Sequence, residues 1–168
     1  MSSSARGYSK LQIWLHWVVV LLVLFQFLGN QGMGNAWEAL QHGRTADPAD
    51  LQWAYLHASA GLLALLFMVW RFYLRFTRGT PPLPENEHPA LRFVARAAHV
   101  LLYGLIVVVA ASGAAAWFAG IEQAAEAHEV LKTVLLAVVL LHIAGALYQR
   151  FILRSGVLER MIRTDKGL

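Results

Sequence analysis

The chain has 168 residues, 58% of them hydrophobic and only 14% charged, with a mean hydropathy of +0.50; this composition excludes an ordinary soluble domain and indicates an integral membrane protein. With no cysteine, disulfides, thiolate metal sites, iron–sulfur clusters and thiol nucleophiles are excluded. A formal charge of +4 and a pI near 9.8 do not indicate nucleic acid, because the basic residues lie where a membrane topology puts them.

At about 20 residues per span the apolar content suffices for four transmembrane helices but not six. The first predicted span is 11–29, following "ARGYSK". A short basic stretch before an apolar run resembles a signal peptide, but the run is long and contains His16, so it is read as a retained span. A Gly/Asn/Asp-rich loop (Asn30–Asp50) leads to the second span, 51–74, for which Asp50 is the expected cap. The Pro-rich loop "TRGTPPLPENEHPA" leads to the third, 91–118, with Pro89 suited to its first turn. Gly120 breaks the chain in the short acidic loop "AGIEQAAE", and the fourth span, 126–151, is expected to end towards Gly156. The predicted architecture is a single all-α domain over 1–168, an integral membrane four-helix bundle.

Twelve of the fourteen Lys and Arg fall on one side of this topology: Arg6 and Lys10 before the first span, five arginines around the second connection, and Arg150, Arg154, Arg160, Arg163 and Lys166 after the fourth. Arg44 and Lys132 fall on the other. The positive-inside rule therefore places both termini in the cytoplasm, with the chain a multi-pass protein surrounded by lipid. Trp14, Trp17 and Trp70 fall near the inner interface and Trp37, Trp53 and Trp117 near the outer one, the headgroup levels that indole prefers.

Of seven histidines, His42 and His88 belong to loops and read as solvated side chains. His16, His57, His99, His128 and His142 lie within spans, where ionisable groups are costly and mark functional sites. One alone is as readily an interhelical hydrogen-bond partner; five together need more explanation. His16 follows Lys10 by six residues and His142 precedes Arg150 by eight, so both lie roughly 9–12 Å in from the inner charges. His57 and His128 stand seven residues after Asp50 and six after Glu122, at the outer level. His128 and His142 are fourteen residues apart, which brings their side chains to within about 40° of one direction and about 21 Å apart along the helix. One helix thus offers an imidazole to each of two stacked sites, and two other helices each offer a partner.

Two opposed imidazoles in a dry bundle suit a b-type haem, whose iron takes two axial nitrogens and whose propionates need cations near the surface. Arg71 and Arg75 are candidate propionate partners, although inner arginines also serve as membrane anchors. Small residues after His57 (Ala58, Ser59, Ala60, Gly61) and after His142 (Ala144, Gly145, Ala146) leave room for a macrocycle, as they also do for helix packing. A histidine-lined metal-ion carrier is the competitor from another class. It usually adds carboxylates, and none lies at mid-membrane depth. Lys132, one turn after His128, is either a propionate partner and part of an electropositive entry, or a lysine snorkelling to the interface.

"YSKLQIWLHW", "LHASAG", "VWRFYLRF" followed by "TPP", "AAHVLLYGLI", "AHEVL" and "LLHIAGALYQR" in this order together resemble the bacterial cytochrome b561 family, over about residues 8–155. The resemblance implies a four-helix membrane cytochrome with two haem b groups, passing electrons between a periplasmic donor and the quinone pool, ubiquinone in particular. Carried over by position, His16 and His142 would ligate the inner haem iron and His57 and His128 the outer one. His99 matches a family histidine that is not usually an axial ligand; it would line the inner haem or a quinone pocket, and its cytoplasmic level leaves a swap with His16 open. Some members oxidise superoxide at the outer face and reduce ubiquinone; such members can carry an additional outer segment where the third connection here is short. A cytochrome b subunit of a larger membrane dehydrogenase or hydrogenase is the related alternative.

Overall fold

Ser9 opens the first helix with a capping box, its hydroxyl accepting from the Gln12 backbone N–H while the Gln12 side chain reaches back to the Ser9 N–H. The computed structural model describes residues 7–82 and 88–163, so Arg6, Lys166 and positions 83–87 of the Pro-rich loop lie outside it. Five α-helices follow in order: α1 (Lys10–Leu28), α2 (Asn30–Gln41), α3 (Pro48–Arg78), α4 (Pro89–Ala119) and α5 (Glu122–Phe151), then a 3₁₀ turn at Glu159–Met161. Four of them, α1, α3, α4 and α5, are long and apolar enough to cross a membrane. The described residues contain no strand. The fold is the expected all-helical bundle of four spans.

Differences from the expectation sit at the ends. The 30–50 connection is not all loop: α2 occupies its first part and packs on α3 and α4, with Ala36, Ala46 and Ala54 buried against Met33, Leu51 and Trp117. Gly32 permits the approach, since a Cβ there would stand 2.6 Å from Trp53 Cβ. The cap of α3 is Asp47, whose carboxylate accepts from Ala49 N–H at 2.8 Å ahead of Pro48, rather than Asp50, which lies in the first turn. His88 is not merely solvated; it is the N-cap of α4, its Nδ1 accepting from Ala90 N–H ahead of Pro89. Gly120 ends α4 in the left-handed region at φ 66°. Helix α5 stops at Phe151, five residues before Gly156.

Close backbone approach joins α1 to α3 and α4 to α5, with α3 meeting α4 more loosely, while α5 stands off from α1 and α3. At mid-height one side chain from each span, Val19, Met68, Ile106 and Leu135, forms a buried apolar layer. Outward-facing residues such as Leu21, Leu62, Val100, Phe118 and Leu141 are well over half exposed, which suits hydrocarbon and not water. At one end Trp17 Nε1 donates to the Met161 carbonyl at 2.8 Å, Arg160 donates to the Pro82 carbonyl at 2.7 Å, and Arg150 pairs with Glu159. That end holds the N-terminal segment, the α3–α4 connection and most arginines. It is the basic face here; the opposite, α2 face carries α2 and the α4–α5 turn.

Candidate functional site

The periodicities that make α1, α3 and α5 spans also bring four of their histidines together in two pairs. His16 of α1 and His142 of α5 have ring centres 6.5 Å apart, and His57 of α3 and His128 of α5 have theirs 6.4 Å apart. The mutual tilts are 68° and 69°. The pairs lie on either side of the apolar layer of Val19, Met68, Ile106 and Leu135, with Leu135 midway between His128 and His142 on α5. Each pair bridges the gap where α5 stands off from α1 and α3.

The second nitrogen of each ring decides what the first can do. His128 Nδ1–H donates to the Val109 carbonyl at 2.9 Å, with Ser112 Oγ at 3.4 Å, so the Nε2 lone pair is available to a metal. Gly113 lets α4 come this close: a Cβ there would fall 2.9 Å from His128 Cε1. His57 Nδ1 is buried and without a hydrogen-bond partner. At the basic-face level Arg71 donates to His16 Nδ1 at 2.6 Å. That arrangement puts the ring proton on Nε2, so ligation through Nε2 requires Arg71 to turn away and the proton to move.

His99 of α4 joins this level, its ring centre 5.2 Å from that of His142 and its Nδ1–H donating to the Ala95 carbonyl at 2.6 Å. The His16–His142 separation matches that of the other pair, and the His99–His142 separation is shorter. His99 also lines a cleft at the basic face with Tyr8, Gln12, Arg71, Arg75 and Tyr103. Burial pushes the Tyr8 phenol above its usual value against the pull of Arg75, so it is a neutral hydrogen-bond donor at physiological pH. Near the α2 face, Lys132 is paired with Glu129 at 2.6 Å, which neutralises the cation one turn from His128.

The geometry fits a b haem. Two imidazoles ligating one iron from opposite sides, each through a nitrogen about 2 Å from the metal, have ring centres about 6 Å apart. Both pairs show that separation. Among the described residues no group of three or more His, Asp or Glu side chains could hold a bare metal ion. Charge and spacing pointed to the histidines, but not to Gly113, Tyr8 or the Val109 carbonyl. Tyr8 lies just before the first apolar run, a weaker mark than an ionisable group within a span; a carbonyl leaves no mark in sequence.

A four-span bundle with paired imidazoles on facing helices defines the class of membrane cytochromes. The family model for prokaryotic cytochrome b561 matches residues 7–164. A relative in Cereibacter sphaeroides, a cytochrome b562, is 34% identical over 94% of this chain and 96% of its own length. A probable superoxide oxidase, CybB, of Yersinia pestis is 27% identical over 96% of this chain and 99% of its own. No solved structure matches the chain. The chain belongs to the prokaryotic cytochrome b561 family, and is a membrane electron-transfer cytochrome that binds b-type haem.

Proposed function

We propose that the chain is a single transmembrane cytochrome b domain with two haem b groups, which carries electrons from a periplasmic donor at the α2 face to quinone, ubiquinone in particular, at a cytoplasmic basic face in the inner membrane. The observation that carries this reading is the pair of near-identical histidine contacts on opposite sides of an apolar layer. His57 and His128 would hold one haem and His16 and His142 the other. A bound haem supplies an iron that accepts and passes on one electron at a time.

The protein's own groups supply the rest. Val109 fixes the tautomer of His128. Arg71 and Arg75 are the cations within reach of propionates at the basic face, and a propionate is the partner to which Arg71 would turn when it leaves His16. Beside His99 stand polar groups of the kind a quinone carbonyl would need: Tyr8 donates as a neutral phenol, and His99 and Tyr103 are further polar side chains there. Lys132, held by Glu129, is a candidate propionate partner at the other level.

The test is a reduced-minus-oxidised spectrum of purified protein with a haem-per-chain assay. A b-type spectrum with two haems per chain is expected, and a stoichiometry near one defeats the two-haem form. Oxidation of the pre-reduced protein by a short-chain ubiquinone checks the acceptor. Superoxide as the donor is a second reading, favoured by the likeness to the Yersinia pestis protein; superoxide-dependent haem reduction in a strain lacking other oxidases checks it.

A further inference from the structure

Gln26 stands two residues before the end of α1, an amide in a run otherwise made of Leu, Val and Phe. Its Nε2 donates to the His57 carbonyl at 3.0 Å, and its Oε1 is buried without a donor. Across the α1–α3 contact, the buried Nδ1 of His57 is without a partner as well. An amide oxygen accepts and a neutral imidazole N–H donates, so the two unsatisfied atoms are complementary. They belong to residues that already share one hydrogen bond.

Space for the Gln26 amide is built into α3. Gly61 lies four residues beyond His57 and therefore on the same helix face, and a Cβ there would fall 3.0 Å from Gln26 Nε2. The Gln26 amide thus lies in the Gly61 notch against the His57 carbonyl, one turn along α3 from the residue that carries the imidazole. The other histidine at this level already has what His57 lacks, since His128 donates its Nδ1–H to the Val109 carbonyl. A histidine that ligates through one nitrogen is oriented by an acceptor on the other.

We propose that Gln26 is the positioning residue for His57: Gln26 Oε1 accepts the Nδ1–H of the imidazole when His57 binds haem iron through Nε2. The inference rests on the reading of His57 and His128 as axial ligands and adds the group that fixes the first of them. The hydrogen bond raises the basicity of His57, favours ferric over ferrous iron and lowers the potential of the α2-face haem relative to a site without it.

The experiment compares full-length wild type with Gln26→Leu, Gln26→Met and Gln26→Glu in detergent, by redox titration, by electron paramagnetic resonance of the ferric haems, and by haem transfer to apomyoglobin. Gln26→Leu and Gln26→Met should raise the midpoint potential of one haem, move its g-values and release that haem about tenfold faster, leaving the other haem unchanged. Gln26→Glu, which keeps an acceptor oxygen, should retain haem as wild type does and show no upward shift. If Leu or Met leaves the potential and g-values of both haems at wild-type values, or if Glu behaves as Leu does, the inference fails while the two-haem reading stands. A wild-type protein without a bis-histidine haem at the α2 face overturns that reading and the inference with it.

Discussion

An imidazole is a useful metal ligand when its second nitrogen is committed elsewhere, and four of the five half-buried span histidines differ in that respect. His128 and His99 each donate to a backbone carbonyl, His16 accepts from Arg71, and His57 Nδ1 has no partner. His57→Ala should remove the α2-face haem and His142→Ala the basic-face haem, each leaving much of the other, as read from the split of the α-band and from haem per chain. His99→Ala should leave both haems; if it removed the basic-face haem while His16→Ala did not, the pairing at that level would be reversed. Gly113→Val should drive bulk into His128 and cost about 1–3 kcal/mol, seen as loss of the α2-face haem before the other on heating. Tyr8 gives a pH prediction. Its folded pKa is raised above 10.0, so its contribution is intact below that pH and declines as pH rises through the folded value. Thermal stability of wild type and Tyr8→Phe should run parallel below about pH 9 and diverge above pH 10. The histidines were legible because ionisable groups are rare at membrane depth and depth follows from residue count. Their orienting partners were not, because a carbonyl, a glycine and an amide carry no charge to mark them.

The elements were legible to within a turn or so at their ends where apolar content sets them, and less so where polar residues do. The four spans follow from runs of Leu, Val and Ala. The seven-residue separation of Asp50 and His57 was useful for depth, yet the cap is Asp47, because a carboxylate just before Pro48 can accept from Ala49 N–H while proline needs no donor satisfied. The sequence of α2 does not mark it as a helix, because Gly32, Gly34 and two asparagines lower its helix propensity. It forms because Ala36 is fully buried and Gly32 sits against Trp53, tertiary contacts that its composition does not advertise. Gly32→Val should therefore detach α2 at a cost of about 1–3 kcal/mol, without removing the four spans. Faster hydrogen exchange confined to residues 30–41 is the expected signature.

At the scale of the whole molecule, the hydrogen bonds of Trp17 to Met161 and Arg160 to Pro82 tie α1, the 3₁₀ turn at Glu159–Met161 and the segment just beyond α3 together on one face. The native absence of cysteine makes single-cysteine reporters unambiguous. A membrane-impermeant maleimide should label His42→Cys in intact spheroplasts and Leu153→Cys only after lysis; the reverse pattern would invert the topology. The mutual arrangement of spans was only partly legible, since spacing put His128 and His142 on one side of α5 but could not show that α5 leans on α4 and stands off from α1 and α3. That arrangement has a genetic consequence. Both histidine pairs depend on α5 for one member, so the residues between His128 and His142, apart from Leu135 in the buried layer and the Glu129–Lys132 pair, are freer in identity than in number. One extra alanine there turns His142 by about 100° relative to His128 and should empty one site, whereas seven extra residues restore its direction at the expense of about 10 Å of added separation. Families of such chains should therefore accumulate substitutions in this interval while excluding insertions and deletions, a reading frame imposed by the helix repeat rather than by the codon.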